Sequence, residues 1–277
     1  MRLNAESFRQ WDKKAVTLLG MSGVGKTRLA RILRQRDWFH FSGDYRIGTR
    51  YLDEHILDDI KEQAMGSPLL KDLLRSDSIH IANNISVDNL RPLSAFLGKV
   101  GNPGQGGIGL KEFKRRQQLH RHGEIAAMHD VPAFIHRASE IYGYHSFVND
   151  AGGSLCELDD DGVMETLAQH TLIIYIQATA EDEAELIQRA ETDPKPMYYR
   201  EEFLDAHLAQ FLAERGLEFA AQIPPDDFVR WVFPRLFRAR VPRYEAIAEK
   251  YGHVITTTQV AKVQNEAQFL TLIERVL

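Results

Sequence analysis

The chain contains 277 residues, of which 44% are hydrophobic and 26% charged, a composition typical of a globular protein with one large domain or two smaller ones. The formal net charge of −5 gives no global positive field of the kind that drives sequence-independent binding of nucleic acids, so we expect a small-molecule partner instead. The single cysteine, Cys156, excludes a disulfide within the chain and a metal cluster built on thiolates.

The first predicted element is a buried strand over residues 14–19, KAVTLL, which is rich in β-branched and apolar residues. Residues 20–27, GMSGVGKT, follow it and match G-x-x-x-x-G-K-[ST], the phosphate-binding P-loop motif. Residues 27–34 then have the spacing of a helix. The motif requires this placement between a strand and a helix, so we predict that the chain binds a nucleoside triphosphate. An ordinary glycine turn is the alternative.

The P-loop motif gives each of its members a role. Glycines let backbone N–H groups close around the phosphates, the Lys26 ammonium places a charge at the β- and γ-phosphates, and the Thr27 hydroxyl binds Mg²⁺. ATP and Mg²⁺ are therefore the predicted cofactors. The predicted nucleotide contacts within the motif are Gly20, Ser22, Gly23, Val24, Gly25, Lys26 and Thr27.

Short apolar runs alternate with helical patterns along the rest of the chain, which is typical of α/β proteins with a parallel sheet. The runs predict an α/β fold in which a five-stranded parallel sheet is flanked by helices. The predicted strands cover residues 14–19, 38–41, 145–149, 171–178 and 253–256.

Between the second and third predicted strands lies an unusually long interval, residues 62–125, with six glycines between residues 98 and 109. Connections of this length are usually functional or disordered. We predict a mostly helical insertion that covers the substrate side of a core formed by residues 1–61 and 126–277. A mobile surface loop is the alternative. Residues 216–238 form a predicted second, smaller helical insertion with an apolar stripe, which we assign to packing.

From residue 146 onward the sequence resembles shikimate kinase, a P-loop kinase of small metabolites. Residues 147–154, FVNDAGGS, resemble that family's apolar strand and glycine turn beside the substrate, and residues 172–178 resemble its next strand. Residues 193–199 occupy the place of its lid, which closes on the phosphates. Residues 240–248 resemble its Arg-x-Pro-Leu-Tyr helix start, where the arginine binds the substrate carboxylate.

The resemblance implies several site residues by their positions. It implies that Gly152 and Gly153 lie beside the acceptor and that Arg240 binds its carboxylate. It also implies that Arg189 and Lys195 contact the phosphates from the lid, with Lys195 in place of the family's arginine.

The upstream half combines features of two kinase families. Residues 40–46, HFSGDYR, resemble the Gly-Asp-x-x-Arg turn of nucleoside monophosphate kinases, although Arg46 comes one residue early. Arg121 and Glu124 match the Arg-x-x-Glu pair of shikimate kinase, whose arginine also binds the acid substrate. The overall pattern is similar, too, to bacterial proteins labelled only as ATPases.

Two aspartates follow apolar strands and so lie where open α/β sheets place their ligand contacts. Asp150 is a predicted Mg²⁺ ligand together with Thr27, and helix capping is its alternative role. Asp44 is predicted to accept the proton of an acceptor hydroxyl, and the alternative is an N-cap. With Lys26, which neutralises charge at the γ-phosphate, the two aspartates form the predicted catalytic set.

Three arginines, Arg46, Arg121 and Arg240, are predicted to converge on an anionic acceptor, because guanidinium groups pair bidentately with carboxylates and phosphates. Surface ion pairs are the alternative for each of them. We expect Asp44, Arg121 and Arg240 to line one pocket beside the P-loop. The eleven histidines show no zinc-binding spacing, so no transition-metal site is expected.

The sequence therefore predicts an ATP-dependent kinase, a phosphotransferase that acts on a small anionic metabolite with a hydroxyl group. A nucleotide or nucleoside phosphate kinase is one alternative, suggested by residues 43–46. A nucleotide-dependent ATPase switch is another, although Ala151 stands where such ATPases often carry a catalytic glutamate. In a third alternative, a nucleic-acid kinase, residues 111–121 would guide a phosphate backbone.

The sequence also gives expectations about location and assembly. Apolar runs stay below the about 18 residues that a membrane-spanning helix needs, and the first residues, MRLNAESF, lack the apolar segment of a secretory signal. We expect a cytoplasmic protein without a membrane partner, present as a monomer or a weak homodimer.

Overall fold

Five parallel strands form the centre of the molecule in the computed structural model, which describes residues 3–277. The predicted α/β fold with a five-stranded parallel sheet is confirmed, and the observed strand ends lie within one residue of the predicted ones. The order of the strands across the sheet is β2-β3-β1-β4-β5. The strands are β1 (Ala15–Leu19), β2 (Trp38–Ser42), β3 (Ser146–Asp150), β4 (Leu172–Gln177) and β5 (Gly252–Thr256).

Helices flank the sheet and build the regions beyond it. Within residues 3–277 the α-helices are α1 (Ala5–Gln10), α2 (Lys26–Arg34), α3 (Gly43–Arg46), α4 (Asp53–Ala64), α5 (Pro68–Arg75), α6 (Arg91–Leu97), α7 (Leu110–His129), α8 (Val131–Glu140), α9 (Asp161–His170), α10 (Ala180–Thr192), α11 (Glu201–Arg215), α12 (Pro225–Tyr251), α13 (Thr257–Ala261) and α14 (Glu266–Glu274). A π-helical turn, Ile47–Tyr51, follows α3, and short 3-10 turns cover Pro103–Gln105, Leu155–Glu157 and Ala220–Gln222. None of the helices in these residues is both long and apolar enough to cross a membrane.

The central strands are buried on both faces because helices cover both sides of the sheet. Every residue of β1 and β3 is buried. The polar Thr17 in β1 shares a hydrogen bond of 2.8 Å with the Thr171 hydroxyl and accepts another from the Asn149 amide at 3.2 Å. These bonds tie β1 to its neighbours on both sides and satisfy a hydroxyl that lies within the core.

The strand order creates a crevice at the carboxyl end of β1. The chain leaves β1 toward β2 on one side, whereas after β3 it crosses to β4 on the other side of β1. Because crossovers are right-handed, connections that run in opposite directions place their helices on opposite faces of the sheet. Ligands bind at such a switch point in open α/β sheets. The segments that follow β1, β2 and β3 therefore lie where a site is expected.

The long interval between β2 and β3 is ordered and mostly helical in the structure. Its longest helix, α7, packs Phe113 into a second hydrophobic cluster and Met128 into the core around the sheet. Because this buried face of α7 is continuous, the predicted boundary between residues 125 and 126 falls inside a helix. The chain has no division at that point, and the boundary has to be moved to the end of α7.

The second cluster lies between α7, α11 and α12 and is rich in aromatic side chains. Phe211 packs edge-on against Phe228, with ring centroids 5.4 Å apart. The buried members of this cluster are Val100, Phe113, Tyr199, Phe203, Leu204, Leu208, Phe211, Ile223, Phe228, Val232 and Leu236. The cluster fixes the first half of α12, which forms a wall of the cleft described below.

Helix α12 corrects the predicted smaller insertion, because it runs for 27 residues through the predicted boundary at residue 238. The helix continues past Pro234 and Pro242 because its buried stripe joins the second cluster to the core around the sheet. Arg240 therefore lies in the middle of a helix, and the predicted placement at a helix start is wrong. The buried stripe recurs every four residues and comprises Phe228, Val232, Leu236, Arg240, Tyr244 and Ala248.

Candidate functional site

The loop between β1 and α2 has the backbone that the P-loop motif requires. Gly20, Gly23 and Gly25 have φ angles of +142°, +96° and +101°, which residues with side chains rarely adopt. A Cβ on Gly20 would also lie 2.7 Å from the carbonyl oxygen of Ile176. Helix α2 begins at Lys26, and no side chain caps its first N–H groups. These groups can therefore donate to an anion, as they do at other helix N-termini that bind phosphate.

The Lys26 ammonium lies inside this loop and is only 7% exposed. Its Nζ donates to the carbonyl oxygens of Gly20 at 2.6 Å and Met21 at 3.0 Å. Burial lowers the pKa of Lys26, while the charges of Asp150 and Asp44 oppose that shift. The two bonds use two of the three donors of an ammonium group, which leaves one for a phosphate oxygen.

A hydroxyl from α2 and a carboxylate from β3 meet beside the loop. Thr27 Oγ1 donates to Asp150 Oδ2 at 2.7 Å, and His40 Nε2 lies 3.6 Å from the same oxygen. Ligands at roughly 2.1 Å in an octahedral Mg²⁺ site lie about 3 Å from their neighbours, so this pair of oxygens fits two adjacent positions. Residues 3–277 contain no group of three or more His, Cys, Asp or Glu side chains that could hold a metal. The other ligands of a Mg²⁺ ion would be phosphate oxygens and water.

Asp44 lies in the first turn of α3, directly beyond β2. The N-cap of α3 is Ser42, whose hydroxyl accepts from the Tyr45 N–H at 3.3 Å, so Asp44 does not have the capping role that was its alternative. Burial raises the pKa of Asp44 to about 6, and the charge of Asp150 adds to the shift while Lys26 opposes it. Asp44 thus belongs to one electrostatic cluster with the P-loop lysine and the β3 aspartate.

Glu124, on α7, is a site residue to which the sequence assigned no role. Its side chain is fully buried, Oε2 accepts from the Ser154 hydroxyl at 2.6 Å, and Oε1 has no hydrogen-bond partner. Burial raises the pKa of Glu124 to about 8 although the bond from Ser154 lowers it, and the charge of Asp44 raises it further. Glu124 is therefore mostly protonated at neutral pH. The Arg-x-x-Glu match was the available signal, but it pointed to the arginine.

His120 lies one helical turn before Glu124 and faces the same region. Its Nδ1 has no hydrogen-bond partner and lies 3.8 Å from Glu124 Oε2, and its ring stacks on Tyr198 with centroids 5.5 Å apart. Burial lowers the pKa of His120 to about 4, and the Arg240 charge acts in the same direction. The ring is therefore neutral at physiological pH and offers polar atoms without a positive charge.

The glycine turn after β3 passes between the P-loop and α7. A Cβ on Gly153 would lie 2.9 Å from the backbone nitrogen of Ser22 in the P-loop. A Cβ on Gly152 would lie 3.2 Å from Asp44 Oδ1 and would overlap a carboxylate oxygen of Glu124. Both glycines are needed because backbone approaches backbone and carboxylate here. Their place beside an acceptor stays a prediction.

Arg240 lines the same region but is held by protein groups. Its Nε and Nη2 donate to Glu157 Oε2 at 2.9 and 2.6 Å, Nη2 donates to the Tyr198 carbonyl at 2.8 Å, and Nη1 donates to the Gly153 carbonyl at 3.0 Å. These bonds use four of the five N–H groups of a guanidinium. Arg240 can give a ligand at most one hydrogen bond. It therefore cannot bind a carboxylate through two parallel hydrogen bonds, as the sequence predicted.

Arg46 and Arg121 do not line the P-loop region, so the predicted convergence of three arginines is wrong. Arg46 Nε donates to Asp130 Oδ2 at 2.7 Å. Arg121 donates to the Leu158 carbonyl and lines a separate cleft. Helix geometry explains the position of Arg46: successive residues are about 100° apart, so Arg46 points nearly opposite to Asp44.

The two predicted lid cations line the same cleft as the P-loop. The Arg189 side chain, in the last turn of α10, is exposed and makes no hydrogen bond or ion pair in the described residues, and its Nη1 is 4.0 Å from the Cβ position of Gly23. Lys195 forms an exposed ion pair with Asp193 at 3.3 Å. Both side chains line the cleft next to the P-loop, and their contact with phosphates stays a prediction.

A cleft of ≈ 310 Å³ connects these elements. Its lining includes Ser22 and Gly23 of the P-loop, Asp44 and His120. Its apolar lining, called the apolar wall below, consists of Met21, Leu90, Leu93, Leu97, Leu186, Ala190, Pro196, Met197, Val229 and Phe233. Helix α6 contributes part of this wall, so a segment of the predicted insertion at residues 62–125 lines the cleft.

Comparisons with known proteins leave the function to be argued from this geometry. No protein-family model matches the chain, and no curated protein matches it. Among solved structures, a shikimate kinase from Bacteroides thetaiotaomicron is similar over 95% of both chains, at 14% sequence identity and a TM-score of 0.39. A likeness this distant carries no argument about substrate or mechanism.

The buried carboxyl of Glu124 predicts a specific dependence of stability on pH. Its pKa rises from an ordinary 4.5 to about 8 on folding, so the native state binds a proton that the unfolded state has released between these values. This contribution to stability is complete below pH 4.5 and is lost as the pH rises toward 8. Relative to a Glu124→Gln variant, which cannot ionise, the wild type should therefore lose free energy of unfolding across this window. Urea unfolding at a series of pH values measures the difference, and a constant difference between the two proteins would contradict the assignment.

Proposed function

We propose that the protein binds ATP with Mg²⁺ at the P-loop and transfers the γ-phosphoryl group to a hydroxyl of a small molecule in the adjoining cleft. The observation that carries this proposal is the 2.7 Å contact between Thr27 Oγ1 and Asp150 Oδ2, directly beside the buried Lys26. This arrangement joins the P-loop to the end of β3 as a metal-dependent phosphoryl transfer requires.

The residues of the chain supply the parts that such a transfer needs. The first N–H groups of α2 and the Lys26 ammonium donate to phosphate oxygens, and Arg189 is placed to reach them from the lid side. Thr27 and Asp150 would hold Mg²⁺. When bound, the metal would neutralise charge that develops on the transferred group.

Asp44 is the proposed proton acceptor. With a pKa of about 6, the Asp44 carboxylate is mostly ionised at neutral pH. This pKa also lies near the operating pH, as an efficient general base requires. In the proposed step the acceptor oxygen forms a bond to the γ-phosphorus, the bond from this phosphorus to the bridging oxygen breaks, and ADP leaves. The hydroxyl proton moves to Asp44. The cleft holds the acceptor against the P-loop, which makes the transfer effectively unimolecular.

The alternative of a nucleotide or nucleoside phosphate kinase loses its main support, because it depended on Arg46, which is paired with Asp130. An ATPase switch would hydrolyse ATP without an acceptor. The cleft beside the P-loop, which Asp44 also lines, favours transfer to a bound molecule.

The P-loop assignment predicts that Lys26→Ala abolishes stabilisation by ATP and Mg²⁺. A ligand at one hundred times its dissociation constant stabilises a native protein by about 2.7 kcal/mol, so the wild type should show a clear rise in Tm. Differential scanning calorimetry with and without ATP and Mg²⁺ measures this rise. Lys71→Ala changes an exposed lysine on α5 and should keep the full rise. Equal stabilisation of both variants would contradict the proposal that ATP binds at the P-loop.

The role of Asp44 predicts a loss of transfer at low pH. Because the base acts when it is ionised, kcat/KM for the acceptor should fall as the pH drops below about 6, and Asp44→Asn should lower turnover by about 10²-fold or more. ADP release that depends on a small-molecule extract of the source cells provides the assay. Asp58→Asn, on the exposed surface of α4, is the matched control. Full activity of Asp44→Asn would exclude Asp44 as the base.

A further inference from the structure

The partners of the cations that line the cleft indicate which charge an acceptor can carry. Arg189 and Lys195 line the cleft. Arg240 has four N–H groups bonded to Glu157, Gly153 and Tyr198. The other two arginines that were expected to bind an anion point elsewhere. Among the described arginines and lysines that line the cleft, only Arg189 is unpaired, and its Nη1 lies 4.0 Å from the Cβ position of Gly23 in the P-loop.

Carboxyl groups surround the end of the cleft at which the acceptor is proposed to meet Asp44. Asp44 lines the cleft. The charge of Asp150 raises the pKa of Asp44, and the charge of Asp44 raises the pKa of Glu124, so the three carboxyl groups lie close together. An acceptor that carried a carboxylate would approach the ionised Asp44, while Lys26, the cation beside Asp44, would already serve the nucleotide phosphates. Such an approach is electrostatically unfavourable. The polar atoms that do face the cleft, those of His120 and Ser154, suit an uncharged hydroxyl.

Two helices contribute to the apolar wall of the cleft. Leu93 and Leu97 are one turn apart on α6, and Val229 and Phe233 are one turn apart on α12. Each pair lies on one helix face because residues four positions apart point the same way. Met197, from the segment between α10 and α11, also belongs to the wall. The wall offers dispersion contacts and the removal of apolar surface from water, and it has no donor for an anion.

We propose that the acceptor is an uncharged alcohol with an apolar body. Its hydroxyl meets Asp44 at the end of the P-loop, and its body packs against α6 and α12. This inference rests on the proposed phosphoryl transfer and deepens it, since it names the chemical class of the acceptor. It also replaces the anionic metabolite that the sequence predicted.

The test is a fractionated acceptor screen with the full-length protein, radiolabelled ATP and Mg²⁺. A small-molecule extract of the source cells is passed over an anion exchanger, and the unretained part is applied to a reversed-phase resin. Labelled product is expected from molecules that the exchanger releases and the reversed-phase resin retains. Product from the anion-exchange eluate, or from material that neither resin retains, would overturn the inference while leaving phosphoryl transfer intact. Product from no fraction would overturn the proposed function and the inference together.

A pair of variants tests the wall directly with the acceptor fraction that gives product. Phe233→Lys places a cation in the wall and should raise the acceptor KM at least tenfold with the ATP KM unchanged, whereas Phe233→Leu should keep the acceptor KM within a few-fold of wild type. Phe233 is partly exposed at the cleft, and a Tm rise with ATP and Mg²⁺ shows that each variant is folded. A lower acceptor KM in Phe233→Lys would show that the acceptor is anionic.

Discussion

One buried ion pair, between Arg240 and Glu157, holds the site together. Glu157 is fully buried and accepts from Arg240 Nε and Nη2, while the same guanidinium donates to the carbonyl oxygens of Gly153 and Tyr198. These bonds join the middle of α12, the glycine turn after β3 and the segment between α10 and α11 that contains Tyr198. A buried charge without its partner is strongly unfavourable, so the pair constrains all three segments at once. The proposed chemistry of the cleft depends on this constraint, because Arg240, a cation in its lining, is already bonded to protein groups.

Burial raises the pKa of two carboxyl groups of the site to different values, which gives them different protonation states. Burial brings the pKa of Asp44 to about 6 and that of Glu124 to about 8, so at neutral pH the first is ionised and the second is largely protonated. Such a division allows one group to accept a proton while the other contributes no negative charge to a crowded region. The Ser154 hydroxyl in the turn donates to Glu124, which links the turn to α7.

The sequence predicted the parts of the site that depend on local patterns. The P-loop, the five strands, and the positions of Asp44 and Asp150 at strand ends follow from short-range spacing and apolar runs. The partners of Arg46, Arg121 and Arg240 could not be predicted, because they depend on which way each helix is rotated and on carbonyl groups far along the chain. The continuity of α12 past Pro234 and Pro242 likewise depends on a buried stripe that packs in two separate clusters. Glu124 and His120 become site residues only when α7 is laid against the glycine turn.

The central claim is that one cleft holds the γ-phosphate of ATP against an uncharged acceptor site. A crystal structure with a non-hydrolysable ATP analogue and Mg²⁺ tests it most directly. We expect Lys26 Nζ to donate its third N–H to a phosphate oxygen, and the metal to contact Thr27 and Asp150. The γ-phosphate should face Asp44 while Arg240 keeps its bonds to Glu157. A nucleotide bound away from residues 20–27, or an Arg240 side chain that has released Glu157 to face the acceptor end, would contradict the account.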